Sequence, residues 1–217
     1  TPPTNAIGDF AGGGMMLAFG MVSALLNVAR GGKGQVVDVA MTDGASIIHA
    51  MQWGFRGLGM WEDTRGVNML DTAAHFYDTY ECADGKWISI GSIEPQFYAL
   101  LRKALGIDSD PAFDAQHDKS QWPVLKAKIT EIFKTKTRDE WSAIMEGTDI
   151  CFAPVLGLDE VPLHPHLQAR GTFLHDAEVW QPAPAPRFSR SVPETPQALR
   201  PWKAEEAKEI LSPSLSP

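Results

Sequence analysis

Asn5-Ala-Ile-Gly-Asp9-Phe-Ala-Gly-Gly-Gly14, running on to Arg30, is the stretch from which the rest of the chain is read. No charged side chain occurs from Phe10 to Ala29. The charges at its edges have the signs a helix wants. Asp9 stands where an N-cap residue would, facing free N–H groups and the positive end of the dipole. Arg30 stands at the negative end, and Gly31-Gly32 supplies the stop. Gly12, Gly13, Gly14 and Gly20 each cost a helix about 1 kcal/mol against alanine. Their presence predicts that another backbone or a ligand approaches this helix closely. Two readings of Asp9 stay open here: an N-cap on a buried core helix, or a catalytic carboxylate beside a glycine run. A membrane span is the rival for the whole run, since about 20 apolar residues suffice to cross a bilayer. Glycines, Ser23 and Asn27 dilute it, and the nine residues preceding it hold no Lys or Arg to serve as a basic flank. We read no membrane partner from it.

Composition sets the outer bounds. With 217 residues, 44% of them hydrophobic, the chain can build one large core or two small ones. A net charge of −8 argues against a generic nucleic-acid or anionic-membrane binder. Cys82 and Cys151, the two cysteines, make no disulfide framework and suit a reducing, cytoplasmic setting. Thr1-Pro2-Pro3-Thr4 reads as a mid-protein loop, so the chain is expected to lack its natural N-terminal part.

Arg30-Gly-Gly-Lys-Gly34 reads as a turn into a short strand, Gln35–Ala40, by its β-branched content. A phosphate loop would need a helix there instead, although Lys33 could still touch an anionic cofactor. Met41 to Arg56 is read as a helix capped by Thr42 or Asp43. Met41, Met51, Met60 and Met69 are either gap-filling core or an adaptable acyl-binding wall. Gly57 to Ala74 is a long irregular connection. Tyr77–Cys82 and Lys86–Gly91 flank Ala83-Asp-Gly85 and predict a hairpin. Pro95 fits the first position of a helix running to Leu105 and stopped by Gly106. That leaves Glu94 at the cap, where Glu is a weak residue, and this oddness marks it as a functional candidate.

Amphipathic helices are predicted over Gln121–Lys134 and Arg138–Glu146, the second with a Thr137…Glu140 capping box. Cys151–Leu156 reads as a short buried strand, with Cys151 as a small core residue rather than a nucleophile. His164-Pro-His166 is read as a loop without a metal-site pattern. A strand over Thr172–Trp180 follows, then a proline-rich return over Gln181–Pro193 packed across the first lobe, and a helix over Lys203–Leu211. The hairpin and helices from about Tyr77 to Val161 are expected to form their own α+β lobe.

Asn5-x-x-Gly-Asp9-Phe-x-Gly-Gly-Gly14, Gly32-x-Gly-Gln-Val-Val-Asp38-x-Ala-Met-x-Asp-Gly44 and Asn68-Met-Leu-Asp71 carry a resemblance. So do Phe76-Tyr-x-Thr-Tyr80, Ala83-Asp-Gly85, Gly91-x-Ile-Glu-Pro-Gln-Phe-Tyr98, Ala153-Pro-Val155, His164-Pro-His166 and Ala169-Arg-Gly171. Together they resemble the family III CoA-transferase (CaiB/BaiF) superfamily, and within it the α-methylacyl-CoA racemase branch, over residues 5 to 196. The resemblance implies an α/β fold: the C-terminal part of the family's chain, a partial large α/β domain plus a smaller α+β domain. Residues 1–40 would belong to the large domain, 41–76 to a helix and linker, 77–163 to the small domain, and 164–217 to a return segment and tail.

The resemblance also implies an interlocked homodimer acting on an acyl-CoA thioester, with no metal or redox cofactor. Asp9 would be one acid/base group. Glu94 would support the opposite base, a histidine belonging to a segment absent here. Asn5, Leu70 and Tyr77 would line the substrate pocket. Such chemistry suits C2 of a thioester, a weak carbon acid that needs one tuned group per face. Thr72-Ala-Ala-His75 departs from the Gly-Gly-Ala-Pro usual in the family, which bears on substrate choice. Two alternatives stand beside racemisation. One is CoA transfer between carboxylic acids, the activity of sister families. The other is an inactive fragment or dimerisation module as an isolated chain.

Overall fold

Glycine decides how the first helices meet. The computed structural model describes residues 4–176 and 179–196. Ala6–Met15 winds as a π-helical stretch that runs without a break into α1, Met16–Ala29. Asn5, not Asp9, is the N-cap residue, and Asp9 lies inside the first turn. The wide π turn, closed by Phe10 N–H donating to the Asn5 carbonyl at 3.3 Å, begins earlier than an α-helix capped by Asp9 would. Arg30 and Gly31, at φ +89°, end α1 as expected.

Gly12 is the one buried residue of the π-helical stretch. A Cβ on it would stand 2.8 Å from the Ala45 nitrogen, and a Cβ on Gly44 would stand 1.9 Å from the Gly12 carbonyl oxygen. The close approach is therefore backbone to backbone, against α2, Met41–Ile48. We expect Gly44→Ala to destabilise this packing by about 1–3 kcal/mol or more. Gly54→Ala is the control: it lies in α3, Ala50–Gly57, with no atom within 4 Å of a new Cβ, and should stabilise by a few tenths to about 1 kcal/mol. Thermal denaturation of both variants measures the difference.

The buried core helix expected from Phe10–Ala29 is not buried. α1 has no buried residue, and Phe19 and Leu25 are 73% and 69% exposed. By length and composition Ala6–Ala29 could cross a membrane. Gln35–Ala40 forms no strand, because no strand lies beside it among the described residues to complete its hydrogen bonds. The helix expected over Met41–Arg56 breaks at His49 into α2 and α3, and Ala40 rather than Thr42 or Asp43 is its N-cap residue.

The apolar core lies further along. β1, Tyr77–Glu81, pairs with β2, Trp87–Gly91, and β2 with β3, Phe152–Val155, in an antiparallel sheet of order β1-β2-β3. Tyr77 faces Gly91 and Glu81 faces Trp87 in the hairpin register. Ile88 and Ile90, two apart on β2, point into the core. α4, Pro95–Leu105, ends at Gly106 in the left-handed conformation. α5, Trp122–Phe133, buries Trp122, Leu125, Ile129 and Phe133 at helical spacing. α6, Arg138–Met145, starts with the expected capping box, Thr137 accepting from Glu140 N–H while the Glu140 carboxylate accepts from Thr137 N–H. The Tyr80 and Phe133 rings stack, and Trp141 meets Phe133 edge-on.

Arg138 donates to both Glu160 oxygens, at 2.7 and 2.9 Å, tying α6 to the loop after β3. Those bonds, then Gly157 N–H and Lys86, hold the Glu160 carboxyl far below the usual carboxylate range.

Three expectations near the end are corrected. Cys151 is exposed at φ +60°, and β3 is only half covered, because it is an edge strand. His164-Pro-His166 is no loop: Pro165 begins α7, Pro165–Arg170, as proline can in a first helical turn. Thr172–Trp180 is a hairpin of β4, Phe173–Asp176, and β5, Val179–Pro182. The proline-rich return hydrogen-bonds to that hairpin's own base, Ala183 N–H to the Thr172 carbonyl and Arg187 to the Gly171 carbonyl. The helix read over Lys203–Leu211 lies outside the described residues.

Candidate active site

Leu70 and Tyr77 come together. Both line a cavity of about 320 Å³ whose walls include Thr72, Asp78, Ser89, Gly91 and Cys151. Two elements build it: β1 supplies Tyr77, and a π-helical turn, Met69–Ala73, supplies Leu70. The turn exists because Asn68 and Asp71 cap it reciprocally. Asp71 Oδ1 accepts from Asn68 N–H at 2.6 Å, and Asn68 Nδ2 donates to Asp71 Oδ2 at 3.0 Å. Asn68 is buried and also exchanges two hydrogen bonds with the Glu62 backbone. So the connection read as irregular carries an ordered clasp at its end.

Leu70 also faces a second cavity of about 320 Å³, with Phe55, Met60, Trp61, Met69 and Trp122 around it and His117 and Lys119 among its polar groups. Two of the four methionines singled out, Met60 and Met69, therefore do line an apolar hollow. Met41 and Met51 line neither cavity, and Met60, at 58%, is as exposed as they are, at 52% and 49%.

Glu94 is the N-cap residue of α4, exposed, and its carboxylate makes no capping bond. The turn that presents it is fixed from behind. Ser92, fully buried, donates to the Ile150 carbonyl, and Gln116 Nε2 donates to the carbonyls of Ser92 and Ile93 at 3.0 and 2.9 Å. Desolvation and then the Glu94 charge push the Cys151 thiol up, and Glu94 is not among the residues lining the Leu70–Tyr77 cavity. Asp9 and Asn5 are exposed at the start of the π-helical stretch. Neither lines this cavity.

Ser92 and Gln116 were not found from the sequence. Ser92 lies in an unspecified place of a quoted motif, and Gln116 is 22 residues from Glu94 (116 − 94) in a loop without pattern. A buried glutamine is visible only once the fold is.

A CoA-transferase family III model matches residues 2–204. The chain is 42% identical over 97% of its length to the α-methylacyl-CoA racemase of Mus musculus, covering 55% of that protein. It is 44% identical over 96% of its length to the α-methylacyl-CoA racemase of Homo sapiens, again covering 55%. It thus spans about half the length of these relatives. A crystal structure of a CAIB/BAIF family protein from Brucella suis superposes with a TM-score of 0.74 over 97% of this chain and 56% of the other, at 22% identity. The fold is mixed α/β, and the chain belongs to CoA-transferase family III.

Proposed function

We propose that the complete protein inverts C2 of 2-methylacyl-CoA thioesters. The observation that carries this reading is the shared cavity of Leu70 and Tyr77. A base takes the C2 proton, and the electron pair moves into the thioester carbonyl to give an enolate. An acid on the opposite face returns a proton to C2, so no atom is gained or lost. Asp9 serves one face, and Glu94 positions a histidine from outside this chain that serves the other. Asn5 completes the substrate contacts. The carbonyl oxygen, where charge develops, needs N–H donors, and helix starts such as those at Asn5 and Glu94 supply them.

In this reading the substrate is an acyl-CoA thioester, no metal or redox cofactor takes part, and two copies interlock in the cytoplasm. The uncovered apolar side chains of α1 support a second copy as its cover. The deciding experiment incubates the complete protein with one enantiomer of a 2-methylacyl-CoA, alone and with an acceptor carboxylic acid. Racemisation without the acceptor is the expected result. Turnover only with the acceptor, with CoA moving to it, makes the protein a transferase instead.

A further inference from the structure

Thr72 has φ +79° and ψ 3°, a left-handed conformation that favours glycine and is unfavourable for a β-branched side chain. Asp71, just before it, is also bent out of the helical path at φ −119°, ψ 43°. These two residues let the chain leave the Met69–Ala73 turn with Leu70 facing the cavity it shares with Tyr77. The Asn68–Asp71 clasp holds the entrance to the turn, and Asp71 Oδ2 also accepts from Gly66 N–H at 3.2 Å. At the exit there is one anchor of a different kind. The Lys126 ammonium, on α5, donates to the Thr72 carbonyl and pairs with the Asp78 carboxylate on β1. Asp78 is nearly covered and Lys126 about one-third exposed, with side-chain accessibilities of 9% and 31%. One cation thus joins the loop that carries Leu70 to the strand that carries Tyr77.

We propose that Lys126 is a positioning residue: it locks Thr72 in its strained conformation and thereby sets the distance between the Leu70 and Tyr77 walls of the acyl site. The use of that site for an acyl group rests on the racemase reading above. The lock itself does not. Without the ammonium, the Thr72 carbonyl loses its anchor, the residue relaxes toward negative φ, and the Leu70 wall moves.

The test uses Lys126→Met, which keeps most of the aliphatic stem and removes the charge, in the complete protein. Amide hydrogen exchange of residues 69–73 should quicken about tenfold. The KM for a 2-methylacyl-CoA should rise about tenfold with kcat changed less than about threefold, the pattern of a lost ground-state contact. Glycine takes φ +79° without strain, so in a Thr72→Gly background the same Lys126→Met change should move exchange and KM by less than about twofold. Lys126→Arg should recover part of both. Unchanged exchange in a folded Lys126→Met protein overturns the lock. So does an equal effect of Lys126→Met with Thr72 or Gly at position 72. Faster exchange suppressed by Thr72→Gly, in a protein without racemase activity, supports the lock and overturns the racemase reading.

Discussion

Asp9→Asn should lower racemisation by the complete protein by a factor of about 10² to 10⁴, the usual worth of one general acid or base. The substitution is a demanding one because it changes so little else. Asp9 lies in the first turn and is not the capping residue, so amidation removes charge and titration but no cap. Loss of a carboxylate near a helix start should cost stability only about 0.3–1 kcal/mol. Activity and stability effects are thus separated by a wide margin. Exchange of the C2 proton with solvent deuterium gives the finer reading. The enantiomer whose proton faces the histidine should keep exchanging, and the other should stop. Glu94→Gln should show the reverse bias, and more weakly, since Glu94 acts through the histidine. Equal loss of exchange for both enantiomers, with the fold intact, would rule Asp9 out as a one-face base. Near-normal racemisation would leave it a helix-start carboxylate without a catalytic part.

What could be read from the sequence was local chemistry, and what could not was whatever needs a partner surface. The hairpin around Ala83-Asp-Gly85, Pro95 opening α4, Gly106 closing it and the Thr137–Glu140 box all rest on a few neighbouring residues, and all are present. The Gln35–Ala40 strand failed because β-branched content says a segment could pair, not that a neighbour is there. The Asp9 helix was expected to be core on apolar content alone, yet apolar content does not say what covers it. Cys151 reads as core by type, but at φ +60° on the approach to an edge strand it faces out.

The candidate site divides in the same way. Glu94 was legible because glutamate is a poor cap and its carboxylate indeed caps nothing. Leu70 and Tyr77 were legible only through the family resemblance, since neither stands out by pattern. Lys126 was illegible. Its helix reads as an amphipathic element with solvated charges, and its two partners are 54 and 48 residues away, at Thr72 and Asp78 (126 − 72; 126 − 78). The departure at position 72 was visible as a missing glycine, but the φ that makes it matter was not.

His75 gives the second large effect, in stability rather than activity. It is fully buried, with Nε2 2.7 Å from the Tyr98 hydroxyl, and Nδ1 has no partner. Tyr98 OH also donates to the Phe113 carbonyl at 3.1 Å. With that hydroxyl proton on the Phe113 carbonyl, neutral His75 carries its own proton on Nε2. Phe76, Tyr98 and Phe113 pack edge-on around the ring. A second proton would put a charge and an unanswered N–H among aromatic rings. Burial, and then charge at nearby His117, lowers the His75 value from 6.5 to about 4. Because the folded value is the lower one, the unfolded chain binds more protons between pH 6.5 and 4. Stability from neutral His75 is complete above pH 6.5 and is lost as the pH falls toward 4, by about 3 kcal/mol at pH 4. Glu160 has the opposite chemistry but the same direction: its depressed value makes it lose stability only as the pH drops below about 4.5. Between 6.5 and 4.5 the Glu160 contribution is constant, and the comparison with a non-titrating variant isolates His75 from the other histidines. His75→Gln keeps a donor near the Nε2 place and does not titrate. Urea midpoints measured every half pH unit should fall through that interval in the parent protein and stay nearly level in His75→Gln. Parallel curves for the two proteins would mean that His75 already takes up its proton in the folded state, and that the unpaired Nδ1 finds an acceptor.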